Sequence, residues 1–109
     1  MDLSAEQKRA LDEFCARVRA RFEERVRDIA LFGSRARDDA REDSDIDVCV
    51  VVDDLTWEEQ REIDAITGGV LETYGVWLSP FLVSAAHMDH LRRRERAIAL
   101  EIANHGIRL

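Results

Sequence analysis

The sequence predicts a small α/β or α+β domain, a sheet with packed helices, and three observations lead there. Apolar residues recur at helical spacing along the first quarter of the chain. Two Ser/Thr-x-x-Gln/Glu patterns mark helix starts. The run Ile46 to Val52 is rich in β-branched residues and bounded by polar ones, the signature of a strand. With 109 residues, 46% hydrophobic and 36% charged, the chain suits one domain, residues 1–109, with a buried core and a well-solvated surface.

Taken in order, a helix is expected over residues 4–27. Ser4 caps it with Gln7 in a capping box, and Leu11, Phe14, Val18, Phe22 and Val26 form its apolar stripe. Ile29 to Phe32 reads as a short strand ending at Gly33. Residues 34–44 are polar and form a loop. Ile46 to Val52 is apolar on both faces from Val48 onward, which places it centrally in a sheet covered on both sides. Thr56 with Glu59 opens a second helix through Ile63, Ile66, Val70 and Tyr74, and Gly75 caps its end. Gly68-Gly69 inside that helix costs about 1 kcal/mol per glycine, which suggests a close approach to another backbone. Val76 to Val83 reads as a third strand, with Pro80 pointing to an edge or a bulge. Ser84 caps a last helix through Met88, Leu91, Ile98 and Ile102, stopped by Gly106.

Composition excludes several classes. No apolar stretch is long enough to span a bilayer, so no membrane role is expected. The first residues lack the basic and apolar regions of a secretory signal, which leaves a cytoplasmic location as the expectation. The net charge of −7 argues against direct nucleic-acid binding. Cys15 and Cys49 are too few and too far apart for a metal knuckle or redox pair, and both are expected as reduced, buried thiols. The acids crowd between Asp38 and Asp54, a concentration that suits a cation.

Within that stretch, Gly33-Ser34 follows one strand directly and, after ten intervening residues, Asp45 and Asp47 open the next. Side chains alternate along a strand, so the two carboxylates share a face. Adjacent carboxylates repel unless a cation lies between them, and Mg²⁺ favours one or two carboxylates with phosphate oxygens and water. Glycine lets the backbone approach a phosphate closely, and the Ser34 hydroxyl and nearby amides can donate hydrogen bonds to it. If the two strands pair, metal and triphosphate share one site, as phosphoryl transfer requires. Either element alone is a common structural feature; the combination at two strand ends points to function.

These residues resemble the minimal nucleotidyltransferases of the DNA polymerase β-like superfamily, whose signature is Gly-Ser followed by Asp-hydrophobic-Asp, here Gly33, Ser34, Asp45, Ile46 and Asp47. The segment Leu78-Ser79-Pro80 and the C-terminal residues 101–109 are similar to one branch of that family. The resemblance implies a mixed sheet flanked by helices and a Mg²⁺-bound nucleoside triphosphate, with ATP as the substrate. Asp45 and Asp47 would be the catalytic and metal-holding residues. Gly33, Ser34 and Arg35 would bind the nucleotide. It further implies transfer of a nucleoside monophosphate to an acceptor hydroxyl, a tyrosine of an all-helical HEPN-type toxin, which makes the chain an antitoxin.

Active members of that superfamily carry a third carboxylate on the next strand, and residues 76–83 contain no acid. The alternative is therefore a weak or inactive nucleotide-binding module that neutralises its partner by contact. Asp38 stands where related loops often carry glycine. Arg35, Arg37 and Arg41 either hold phosphate or balance the surrounding aspartates, and Arg35 is the best functional candidate. His87, His90 and the Arg92–Arg96 run read as solvated helix surface, and His105 as a partner of a helix end. Trp57 and Trp77 could stack on a base or pack structurally. A domain this small exposes much of its surface, so a homo-oligomer is also open.

Overall fold

In the computed structural model, which describes residues 3–33, 45–94 and 96–109, the first helix starts as its capping box predicts. The Gln7 backbone N–H donates to Ser4 Oγ at 3.1 Å, and the Ser4 N–H donates to Gln7 Oε1 at 2.8 Å. This helix, α1, spans Ala5–Phe22 and buries Leu11, Phe14, Val18 and Phe22. It stops one turn earlier than its apolar spacing predicts. Glu23 takes a positive φ of 52°, Glu23–Arg25 form a single tight turn, and Val26 already belongs to the first strand. Val26 follows Phe22 at helical spacing, but it pairs with Val52 across the sheet, and that non-local contact overrides the local period.

Strand β1 covers Val26–Phe32 and β2 covers Ile46–Val52. They pair antiparallel, with an irregularity between Val26 and Asp28. The helix α2, Trp57–Tyr74, begins with the second capping box and ends at Gly75, which takes φ 68° as a left-handed cap. Strand β3, Leu78–Ser84, runs parallel to β2. The sheet order is β3-β2-β1-β4, with β4 the two-residue strand Ile107–Arg108, so Pro80 sits on an edge strand, where its missing N–H costs least.

The expected last helix is two helices, α3 (Ala85–Arg93) and α4 (Ala97–His105). The break lets α3 pack on β2 and β3 while α4 turns back onto β1. Met88 from the first and Ala99 and Ile102 from the second thereby reach the same buried cluster. The turn also delivers a short strand unforeseen in the sequence, β4 (Ile107–Arg108), which pairs antiparallel with β1.

The result is a mixed α+β fold with the sheet between two helical layers. Ile29, Leu31, Ile46, Val48, Val50 and Leu78 face α1 and α2. Ala30, Phe32, Cys49, Val51 and Val83 face α3 and α4. Each strand residue alternates between two buried layers, which is why β2 is apolar along nearly its whole length. The Gly68-Gly69 expectation is corrected. No backbone approaches Gly68, and a Cβ there would meet nothing within 4 Å; one on Gly69 would meet the Arg17 guanidinium. No helix among the described residues is long and apolar enough to cross a membrane.

Candidate active site at the end of the central strand pair

The β1–β2 register brings the two halves of the motif together. Phe32 pairs with Asp47, so Gly33 lies beside the start of β2. Gly33 has φ 74°, a left-handed conformation that glycine adopts without strain. A Cβ at this position would collide with the Asp47 carboxylate. The backbone angle calls for glycine here, and any Cβ would in addition have to push the Asp47 carboxylate aside. The Asp47 carboxylate thus lies against the backbone of the turn.

Asp45 immediately precedes β2 and is exposed, and Asp47 is half-buried. By strand alternation both point toward the face that carries Phe32, Cys49 and Phe81. Phe32 and Phe81 meet edge to face, with ring centroids 6.4 Å apart, and form an apolar floor next to Asp47. Asp47 itself is engaged in interactions within the fold. The Cys49 thiol, two residues further along, is no candidate nucleophile: burial pushes its pKa up to about 12, with Asp28 adding to the shift and Arg92 opposing it. Cys15, expected to be buried, is only half-buried; both cysteines are free thiols.

Parallel pairing with β3 decides what stands on the other side of the carboxylates. Leu78 is beside Ile46, Ser79 beside Asp47 and Pro80 beside Val48. The strand neighbour of Asp47 is therefore a hydroxyl and not a third acid. Ser79 had no distinguishing signal in the sequence, because only the register selects it. Among the described residues no group of three or more His, Cys, Asp or Glu gathers into a metal cluster. A two-carboxylate site completed by phosphate and water still suits Mg²⁺.

Ser34 and Arg35, together with Arg37, Asp38 and Arg41, lie outside the described residues. His87 and His90 are exposed and stack on each other at 6.3 Å, as surface histidines. Arg92, Arg93, Arg94 and Arg96 are likewise exposed. Trp57 and Trp77 are 62% and 63% exposed, so neither is a core residue.

A four-stranded mixed sheet with a glycine turn packed against an Asp-x-Asp pair defines an α+β domain of the nucleotidyl-transfer type. Residues 9–97 match the family model described as Nucleotidyltransferase domain, and the chain belongs to that family. A putative protein adenylyltransferase of Methanocaldococcus jannaschii is 40% identical over 47 residues, which are 43% of this chain and 47% of that protein. The match therefore spans about half the length of that curated relative. A solved structure of a putative minimal nucleotidyltransferase superposes with a TM-score of 0.61 at 26% identity, covering 98% of this chain and 97% of the other. The fold is shared with a toxin–antitoxin structure containing AMP-PNP, at TM-score 0.53 and 18% identity, over 87% of this chain and 68% of that one. A mutant form of the toxin–antitoxin pair MntA–HpeT gives TM-score 0.53 at 17% identity, over 96% of this chain and 72% of that one.

Proposed function

We propose that this chain, acting as one unit over residues 1–109, is a Mg²⁺-dependent nucleotidyltransferase. It moves a nucleoside monophosphate, AMP from ATP, onto an acceptor hydroxyl. The observation that carries the reading is the packing of Gly33 against the Asp47 carboxylate, with Asp45 on the same face. In this reading Asp45 and Asp47 hold the metal, and Gly33, Ser34 and Arg35 receive the β- and γ-phosphates. A bound Mg²⁺ would neutralise phosphate charge as the bond to the leaving pyrophosphate breaks. The acceptor oxygen forms the new bond to the α-phosphorus, and its proton must leave. No carboxylate on β3 is placed to receive that proton, since Ser79 occupies the position beside Asp47.

The acceptor we favour is a tyrosine of a HEPN-type helical toxin, with the chain working as a cytoplasmic antitoxin. Support comes from the relatives: a protein adenylyltransferase by name, and two structures described as toxin–antitoxin assemblies. Ser79 favours a second reading, in which the site binds nucleotide weakly or without turnover and the chain neutralises its partner by contact alone.

One experiment separates the two. The chain is incubated with labelled ATP, Mg²⁺ and the helical protein encoded beside it, and the partner is examined for a nucleotide adduct by mass spectrometry. An adduct that disappears in Asp45→Asn establishes transfer. A tight complex with no adduct, unaffected by Asp45→Asn, establishes contact inhibition and removes the enzymatic reading.

A further inference from the structure

The two edges of the sheet are finished differently. At one edge, β4 is two residues long and carries Arg108, whose side chain is 82% exposed and paired with Asp28. A short, charged edge of this kind resists pairing with other chains. At the opposite edge, β3 runs seven residues, Leu78–Ser84. It lies within residues 73–86, the longest stretch of the chain without Asp, Glu, Lys or Arg. Among the described residues no strand pairs with its outer side. Pro80 has no N–H to give, which suits a residue facing the open side. Alternation then turns the main-chain groups of Leu78, Pro80, Leu82 and Ser84 outward. We infer that this edge pairs with the same edge of a second copy of the chain, antiparallel about a two-fold axis at Phe81, joining two four-stranded sheets edge to edge.

Charge identifies the occupant. The chain has a net charge of −7 and 36% charged residues, so two copies repel over most of their surface. The uncharged edge is where like-charged copies can meet without setting like charges opposite each other. A basic partner would be drawn to the acidic segments instead.

An axis at Phe81, the middle of β3, pairs all seven residues. It sets Leu78 opposite Ser84 and Pro80 opposite Leu82, with Phe81 facing its own counterpart. The Leu82 N–H donates to the Pro80 carbonyl of the second copy, so the proline removes one bond of that pair without breaking the ladder. Leu78 and Leu82 lie on the side of the sheet covered by α1 and α2, and a two-fold perpendicular to the sheet keeps them there. Leu82 of the second copy therefore stands beside Pro80, at the cleft of about 320 Å³ that Leu71, Trp77, Leu78 and Pro80 help to line. Trp77, 63% exposed, extends this apolar strip. Pro80, Phe81 and Leu82 are each half-buried, which leaves apolar surface for the second copy to cover. On the α3–α4 side, the two Phe81 rings form a cross-strand aromatic pair.

Sedimentation velocity on the full chain over a concentration series tests the pairing. A strand pair with its flanking side chains is a small interface, so the dimer is expected at micromolar concentrations. Added salt should strengthen it, because screening relieves the repulsion between two acidic chains. Leu82→Lys and Leu82→Glu should each weaken the dimer roughly tenfold or more, since the two Leu82 positions are diagonal neighbours about 7–8 Å apart across the axis. Mixed in equal amounts, the two variants should pair again through opposite charges, and thermal melting checks that both fold. Hydrogen exchange on the unmodified chain needs no substitution: the Leu78 and Leu82 amides should exchange more slowly as protein concentration rises. A chain that stays monomeric into the millimolar range, or exchange rates independent of concentration, overturns the inference. A dimer unaffected by either substitution places the contact elsewhere and overturns it too, as does a loss that mixing fails to restore. If the chain alone is monomeric and Leu82→Lys abolishes its complex with the helical protein encoded beside it, the edge belongs to that protein and the inference fails.

Discussion

The two ends of the β1–β2 pair are built on opposite principles. At the end where β1 begins, Arg25 grips Glu59 through two guanidinium bonds of 2.7 and 2.8 Å. It also donates to the backbone carbonyls of Asp53 and Asp54. Glu59 in turn closes the capping box of α2, accepting from the Thr56 N–H at 3.0 Å. Arg27 pairs with Asp53 at 2.6 Å. Arg25, Arg27, Asp53 and Glu59 are all paired, and the cluster ties β1, β2 and the start of α2 together. At the other end, a glycine turn is pressed against one carboxylate and a second carboxylate is exposed. The first arrangement holds the fold in place. The second concentrates negative charge at a strand end, where in the proposed function a cation and phosphates would offset it.

Substitutions that separate stability from activity sharpen this contrast. The largest effect is expected from Asp47→Asn, which preserves shape but removes a charge proposed to hold the metal. Nucleotidyl transfer should fall on the order of 100-fold or more. The unfolding free energy should move far less, and a matching loss of stability would show that Asp47 is chiefly a structural residue. Gly33→Ala should affect both properties. The left-handed φ and the collision with Asp47 predict about 1–2 kcal/mol of destabilisation in denaturant titrations, together with lost nucleotide binding. A stable, fully active Gly33→Ala variant would contradict the close packing at this turn.

The opposite end should respond to pH. The Arg25 hydrogen bonds, followed by the backbone bond from Thr56, hold the Glu59 carboxyl well below its usual 4.5, at about 2. A depressed carboxyl pKa stabilises the fold above the unfolded value, and that contribution is lost as pH falls through the folded value. Stability should therefore decline between about pH 4.5 and about pH 2, and Glu59→Gln should flatten this part of the profile. Equal acid limbs in the two proteins would show that the pair contributes nothing measurable. The smallest effect is expected from Gly68→Ala, which should raise stability by about 0.5–1 kcal/mol, since the helix gains and no neighbour is displaced.

What the sequence by itself determined is local. Both capping boxes, the left-handed Gly75 cap, the central placement of β2 and the edge position of Pro80 follow from side-chain chemistry within a few residues. The pairing of the glycine turn with the Asp-x-Asp strand stood only as a condition in the sequence, and the antiparallel register meets it. Other features depended on contacts between distant segments. Val26 left its helix for the strand because Val52 lies across from it. The last helix broke because the second face of the sheet needed cover over both β2 and β1. The two-residue β4 exists only through its pairing with Ala30 and Leu31. Likewise, only the parallel register put Ser79 beside Asp47. Periodicity records which face of an element is buried; it carries no information about which distant residue will lie opposite.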